Sequence, residues 1–309
     1  MHEDTDFGHY SIILPEEPPV WGTSHIIPRG VPPRISRPQY VNKTLSLGQN
    51  DEGVHDDPYD GDGRIRLGSQ EEKRLRNAAK LARLTLSRAY ELAKAGVTTN
   101  SIDAELHKFI IEHNAYPSPL HYASFPRSCC TSVNNIIVHG IPDDRKLEDG
   151  DIVNIDVTVY LDGFHGDTSQ TFLIGNVDKQ GTDLVQATND AMWAGIRACG
   201  PGKPLKNIGR AISDVATERD YSVSTQFTGH GIGTVFHRPP WILNHRNDEP
   251  GLMLPGHCFT IEPCLVQGSN PRAWLFPDGW TASTENGARS AQAEHMVLIT
   301  ESGVDVLTQ

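Results

Sequence analysis

Cysteine is scarce in this 309-residue chain: there are five, an odd number, with Cys129 and Cys130 adjacent. That is not a disulfide framework, and it points to a reducing compartment. Positive charge is also under-represented. Lys and Arg total 27 against 39 Asp and Glu, a net charge of −12, which argues against a general nucleic-acid binder. No apolar run is long enough to span a bilayer. The opening residues, MHEDTDFGHY, are acidic and lack a secretory pattern, and they also lack the Arg-rich, acid-poor character of a transit peptide. The chain as written is therefore expected in the cytoplasm, with a mitochondrial location as the alternative if an upstream transit peptide has been removed. The length and a hydrophobic content of 37% suit one domain with a substantial core plus an extension.

Residues 1–67 form that extension, and residues 68–309 the expected folded domain. PEEPPV and IPRGVPPRISRP, within the first 67 residues, favour extended or polyproline backbone. This stretch is expected to wrap the domain surface, with recruitment of a partner as the alternative. A long helix then starts at a capping box, Ser69 to Glu72. Its apolar stripe is Leu75, Ala79, Ala82, Leu86, Ala89 and Ala93, and Gly96 is expected to close it. A second helix carries Ile102, Leu106 and Phe109. The plan recurs with a helix from about Thr182 to Ala198, a break at Gly200-Pro201-Gly202, and a helix carrying Ile208, Ile212 and Val215. The spacing from Gly96 through Ile102, Leu106 and Phe109 equals that from Gly202 through Ile208, Ile212 and Val215. This is a weak internal repeat, each half supplying two helices followed by strands: an α+β fold with a central antiparallel sheet and outer helices.

The chemistry concentrates around Asp156 and Asp167. They lie in NIDVTVYLDGFHGDTS, which reads as two strands joined at Asp162-Gly163, a strong hairpin turn signal. A two-residue turn places Asp167 opposite Thr158. Asp156 then faces the same side, diagonal to Asp167 at roughly 7–8 Å between Cα atoms. Two buried acids on one face repel, and a cation between them resolves the conflict. Downstream, GHGIGTVFH supplies His230 and His237, FTIEP places Glu262 on an apolar strand, and SAQAEH places Glu294 on another. Four carboxylates and an imidazole suit two divalent ions. Any one of these residues alone is more often surface or ordinary core, but five together point to a dinuclear site able to acidify water.

The motifs VHGIP, DGDIVNIDVTV, GFHGDTS, GHGIG with a following FH, FTIEP and SAQAEH together resemble the methionine aminopeptidase family of metallopeptidases. The resemblance runs from about Ser69 to Gln309. The interval between His237 and Glu262 is short, whereas type II members carry a long helical insertion there, so the chain resembles type I. The resemblance implies the pita-bread fold, with two pseudo-symmetric halves and the site at their junction. It implies Asp156, Asp167, His230, Glu262 and Glu294 as metal ligands, with Asp167 and Glu294 shared by two ions (Co, Mn, Fe or Zn). A water acidified by the ions would attack the first peptide bond, and Glu262 would relay its proton to the leaving amine. His139 and His237 match the two histidines that contact substrate. Tyr122, Phe125, Cys130, Phe236 and Trp280 match positions around the methionine side chain, where sulfur–aromatic contacts are favourable. Asn134 and Ser290 match positions beside a monovalent cation. Val138 stands where the family frequently has Cys, and Pro119 matches the pocket edge of many eukaryotic members.

The activity implied is cotranslational removal of the initiator methionine when the second residue is small and uncharged. Implied partners are nascent polypeptide N-termini, with the ribosome a further candidate, and no direct nucleic acid or membrane; the chain would be a monomer. The Cys/His zinc finger that precedes this region in many eukaryotic cytosolic type I members is missing, since the first cysteine is Cys129. That absence, with HNAYPSPL and SVNN, is closer to the organellar subtype. Two other readings stay open: a proline-directed peptidase with similar ligands, and a non-catalytic binding protein of this fold. The compact GHGIG to FH spacing disfavours the first, and the presence of all five ligands disfavours the second.

Overall fold

The structure is a computed structural model, which describes residues 6–41 and 61–309. The first half runs through helices α1 (Gln70–Leu92) and α2 (Thr99–Glu112), then strands β1 (Tyr116–Pro117), β2 (Cys130–Val133), β3 (Ile136–Val138), β4 (Ile152–Leu161) and β5 (Phe164–Leu173). The second half begins with α3 (Lys179–Arg197) and α4 (Lys206–Glu218), followed by β6 (Tyr221–Val223), β7 (Gly229–Gly231) and β8 (Arg238–Ile242). It ends with β9 (Cys258–Ile261), β10 (Cys264–Gln267), β11 (Ala273–Leu275), β12 (Ala282–Thr284), β13 (Ser290–Ile299) and β14 (Val304–Val306).

The main sheet is antiparallel and orders its strands β1-β4-β5-β13-β9-β7-β8, with β2 added on β4 and β10 and β14 added on β13. Its long hairpin is closed by Asp162 and Gly163, both with positive φ (51° and 90°), the backbone of a twisted two-residue turn. The register follows from it: Thr158 pairs with Asp167 and Asp156 with Ser169. Alternation then sorts the side chains. Val153, Ile155 and Val157 join Leu86, Ala89, Ile102 and Leu106 in a core beneath α1 and α2. The intervening Asn154, Asp156 and Thr158 turn to the opposite face. Ile208 and Ile212 of α4 pack with Phe259, Ile261 and Val297 in the second half. Each such fully buried aliphatic side chain contributes roughly 1.5–3 kcal/mol of transfer free energy. Mixed α+β architecture, one large antiparallel sheet and helices on its outer face agree with the expected fold class.

The N-terminus of α1 is capped by Ser69, whose Oγ accepts from the N–H groups of Glu71 and Glu72. Glu72 reaches back to the N–H of Gly68 at 2.6 Å, one residue earlier than in a standard capping box. The C-terminus departs from the expectation. The helix stops at Leu92 with Ala93 as its cap, and Gly96, at φ 86°, sits in the next turn with its N–H on Leu147 O at 2.7 Å. A tertiary hydrogen bond thus claims the glycine that the sequence pattern assigns to the helix end. Gly166 marks the closest approach of helix and sheet. A Cβ there would lie 2.4 Å from the carbonyl of Ala78 in α1, so only glycine lets α1 rest on β5 beside Asp167.

The described part of the extension lies against the domain. Arg289, fully buried, donates to Phe7 O and Asp178 Oδ1 (2.6 Å each) and sits over the Tyr10 ring. Ile13 exchanges hydrogen bonds with the Asn135 side chain at 2.7 and 2.9 Å. Ile65 is buried, its N–H donating to Gly256 O at 2.7 Å.

Candidate metal centre

Three neighbouring strands bring the acids together. Ser169 of β5 pairs with Asp156 on one side and with Glu294 of β13 on the other, so Asp156 and Glu294 flank one residue on one face. Asp167, two residues before Ser169, shares that face. Oxygens of Asp167 and Glu294 and a ring nitrogen of His230 lie within 4.8 Å of one another, all three residues buried. Glu262, immediately after β9, brings Oε1 to 3.5 Å from His230 Nε2, and Asp167 Oδ2 is 3.7 Å from the same nitrogen.

Each donor is held in place. Thr158 Oγ1 donates to Asp167 Oδ1 at 2.6 Å, and Thr260 Oγ1 donates to Glu262 Oε1 at 2.7 Å. Gln292 Nε2 donates to Glu262 Oε2 at 3.3 Å. Burial pulls the His230 pKa down to about 4, leaving a neutral ring. Its Nδ1–H is 3.2 Å from Gly231 O, and a bond to that carbonyl leaves the Nε2 lone pair facing the carboxylates, the usual posture of a ligating histidine.

The electrostatics call for a cation. Burial pushes Asp156 up to about 7 and Glu262 up to about 8. Asp167 stands well above the usual carboxylate range through burial and then the charge of Asp156; Glu294 does so through burial and then Asp167. Among the described residues no Lys or Arg is ion-paired with any of the four, and Asp156 Oδ1 is buried without a hydrogen-bond partner. Oxygen and imidazole donors, a spare carboxylate oxygen and no Lys or Arg ion-paired with them among the described residues fit divalent metal ions.

His237 follows on the turn after β7, its ring 4.2 Å from that of His230 and 4.0 Å from Phe236. Burial, then the neighbouring His230, His139 and His165, keeps it neutral. His139 follows β3 in the left-handed region (φ 58°); burial lowers it to about 4. The aromatic residues gather beside these rings. Tyr122 lies 5.0 Å from Phe236 and 4.9 Å from His237. Phe125 is 5.1 Å from Trp280, which is 5.8 Å from His139. Cys130 is buried and pairs in register with Asp156.

Asn134 and Ser290 are also adjacent, Ser290 N–H donating to Asn134 O at 2.9 Å. Their side chains are engaged elsewhere: Asn134 Nδ2 donates to Ser11 O and Asp151 Oδ1, and Ser290 Oγ to Leu265 O. Val138 is buried before His139. Four neighbours of the site escape the sequence reading. They are Thr158 and Thr260 as orienting hydroxyls, Gln292, and His165, which stacks on Phe236 at 5.2 Å and bonds Ser118 Oγ at 2.8 Å. The signal for the threonines is their place two residues from Asp156 and Glu262, on the same strand face.

Comparison with known proteins agrees with this geometry. The model of metallopeptidase family M24 matches residues 73–301. The chain is 47% identical over 283 residues to methionine aminopeptidase 1D, chloroplastic/mitochondrial, of Arabidopsis thaliana, covering 91% of this chain and 77% of that protein. It is 44% identical over 306 residues to methionine aminopeptidase 1D, mitochondrial, of Homo sapiens, covering 98% and 85%. The chain belongs to the methionine aminopeptidases of metallopeptidase family M24. The crystal structure of methionine aminopeptidase from Rickettsia prowazekii superimposes with a TM-score of 0.77 at 44% identity, over 79% of this chain and all of that one. Prolidase from Pyrococcus furiosus shares the fold at 20% identity, with a TM-score of 0.63 over 80% of this chain and 66% of that one. Members of the methionine aminopeptidase and prolidase branches therefore share this pita-bread architecture, and membership of a metallopeptidase family implies use of a divalent metal.

Proposed function

We propose that the chain is a methionyl aminopeptidase that removes the initiator methionine from nascent polypeptides whose second residue is small and uncharged. The observation that carries this reading is the convergence of four carboxylates, Asp167 and Glu294 buried and Asp156 and Glu262 partly so, with a buried neutral histidine beside an aromatic pocket. Asp156, Asp167 and Glu294 would hold one divalent ion, and Asp167, Glu294, His230 and Glu262 a second. When bound, the ions supply Lewis acidity that acidifies water and polarises the scissile carbonyl.

The chain's own residues do the rest. Glu262, oriented by Thr260 and Gln292, takes a proton on its carboxylate and returns it to the leaving amine. His237, neutral, donates an N–H to the oxygen that gains negative charge. His139 contacts substrate near the leaving amine. Tyr122, Phe125, Cys130, Phe236 and Trp280 receive the thioether. The free amino terminus binds at the metal end, which limits cleavage to the first bond. Nascent chain N-termini are the partners proposed, at the ribosome. The mitochondrial and chloroplastic relatives support an organellar setting over the cytoplasm, which imaging of the tagged protein would check.

Hydrolysis of Met-Ala-Ser by chelator-treated protein, before and after adding Mn, Fe, Co or Zn, tests the proposal. Metal-dependent release of free methionine, lost in Asp156→Ala, is the expected result. No release with any metal overturns it, and cleavage of Ala-Pro instead would assign a proline-directed peptidase.

A further inference from the structure

We infer that residues 22–40 of the extension act as a strap that positions the walls of the methionine pocket. The inference rests on the proposed function for what the pocket holds, but not for the contacts themselves. Of the four segments that carry pocket residues, three concern the strap: the turn bearing Tyr122 and Phe125, the lead into Cys130, and the loop bearing Trp280. The extension is bonded to each.

The turn is the least self-sufficient. His121, Ala123 and Ser124 all have positive φ (65°, 43° and 71°). Such backbone persists in residues other than glycine only where the surroundings hold it. Two of those holds come from the extension. Thr23 Oγ1 donates to Ser124 O at 3.1 Å, and the Tyr40 ring meets that of Tyr122 edge-on at 5.0 Å. Tyr40 is itself anchored through its hydroxyl on Ser118 O.

The lead into Cys130 is held through a buried relay. Arg29 Nε donates to Asp103 Oδ2 at 2.7 Å, and Asp103 is fully buried. Asp103 Oδ1 accepts from the N–H groups of Ser128 at 2.7 Å and Cys129 at 3.3 Å. His107 adds a second bridge, Nε2 to Gly30 O at 3.0 Å and Nδ1 to Ser128 Oγ at 2.7 Å. Removing Arg29 leaves Asp103 buried without its cation.

The Trp280 loop is tied by Gly22 N–H to Pro277 O at 2.9 Å. Behind it lies a cavity of about 340 Å³, bounded by Ile13, Pro19 and Val20 of the extension and by Phe276, Pro277 and Thr281 of the loop. Thr131 Oγ1, which belongs to a residue lining this cavity, is buried with no partner among the described residues. On that side the loop faces the extension, including His25 and Ile26 of the strap, across this cavity. No hydrogen bond or ring contact named above joins residues 22–40 directly to Asp156, Asp167, His230, Glu262 or Glu294, so the strap should act chiefly on methionine binding.

The test uses the full chain, with Arg29→Ala and Tyr40→Ala against their conservative partners Arg29→Lys and Tyr40→Phe. Thr23→Ala, the mildest change, serves if the alanine variants do not fold. In the Mn-loaded alanine variants KM for Met-Ala-Ser should rise about fivefold or more with kcat nearly unchanged, the signature of lost binding common to ground and transition states. Discrimination against a leucine-first peptide should fall, and Mn affinity by calorimetry should stay constant. Tyr40→Phe, which keeps the ring against Tyr122 but loses the hydroxyl bond to Ser118 O, should fall between wild type and Tyr40→Ala. Amide hydrogen exchange should quicken at 121–130 and 276–281 in the alanine variants, whether or not the protein turns over peptide. Unchanged exchange in those segments, a uniform rise over the whole chain, or a KM that moves only with Mn affinity would overturn the strap. If the wild type releases no methionine, the function fails while the exchange data still decide the strap.

Discussion

Asp156 carries a buried oxygen with no hydrogen-bond partner among the described residues, and burial drives its pKa to about 7. A group in that position costs stability unless a cation satisfies it. Asp156→Asn should therefore leave the chelated protein at least as stable as wild type, because it removes a charge that nothing compensates. The same change should lower kcat/KM for methionine release by more than about 100-fold, the upper end of what disturbing the surroundings of a ligand costs. A melting curve in chelator alongside peptide hydrolysis checks both halves, and a substantial loss of metal-free stability would contradict the first. Thr260 offers a subtler probe. Its hydroxyl donates to Glu262 Oε1 at 2.7 Å and so favours the charged carboxylate. Thr260→Val should move Glu262 further up in pKa and weaken Mn binding by about 10–100-fold, as loss of an orienting partner does. Calorimetric titration with Mn measures it, and unchanged affinity would show that the hydroxyl does not orient the ligand.

At the scale of elements, the site depends on how closely α1 rests on β5. With a Cβ placed 2.4 Å from the Ala78 carbonyl, Gly166→Ala must push helix and strand apart, at a cost of about 1–3 kcal/mol. The midpoint of urea unfolding reads that loss. Activity should fall further than stability alone explains, because Asp167 is the next residue. The hairpin that sets Asp167 against Thr158 was legible in the chain because turn chemistry is local: Asp162-Gly163 dictates a two-residue turn, and the turn dictates the register. Asp156 and Glu294 were legible because each interrupts a largely apolar strand, and Glu262 because it follows one directly; Asp167 came from the hairpin register and His230 from the Gly-rich segment that carries it. The end of α1 was not, since Gly96 is taken by Leu147 O from a distant loop. Nor were the orienting roles of Thr158, Thr260 and Gln292, which depend on which strands become neighbours. The prolines of the extension signal extended chain, and its described part, residues 6–41, carries no strand; the carbonyls of Ser124 and Pro277 that it reaches are set by the fold of another part of the molecule.

Over the whole molecule, the acidic cluster makes stability depend on metal and pH together. In an unfolded chain these carboxyls titrate near 4. In the metal-free fold Asp156 titrates at about 7 and Glu262 at about 8, with Asp167 and Glu294 also raised. Between those limits the folded state holds protons that the unfolded state has released. Raised carboxyls therefore contribute stability at low pH, which is lost as pH rises from about 4 through about 8. Divalent ions reverse the trend, because their ligands bind deprotonated and affinity grows with pH. The Tm of the chelated protein should accordingly fall from about pH 7 to about pH 8.5, above the range in which the buried histidines, held low by burial, add the opposite slope. That of the Mn-saturated protein should hold or rise, so the gap between them widens. About 1 kcal/mol moves Tm by roughly 2–4 °C in a domain of this size, so the divergence is measurable by calorimetry. An Asp156→Asn, Glu262→Gln double variant should flatten the chelated slope, since its amides neither bind nor release the protons concerned. A gap of constant width across the range would mean that the four carboxylates are not the groups whose repulsion the metal relieves.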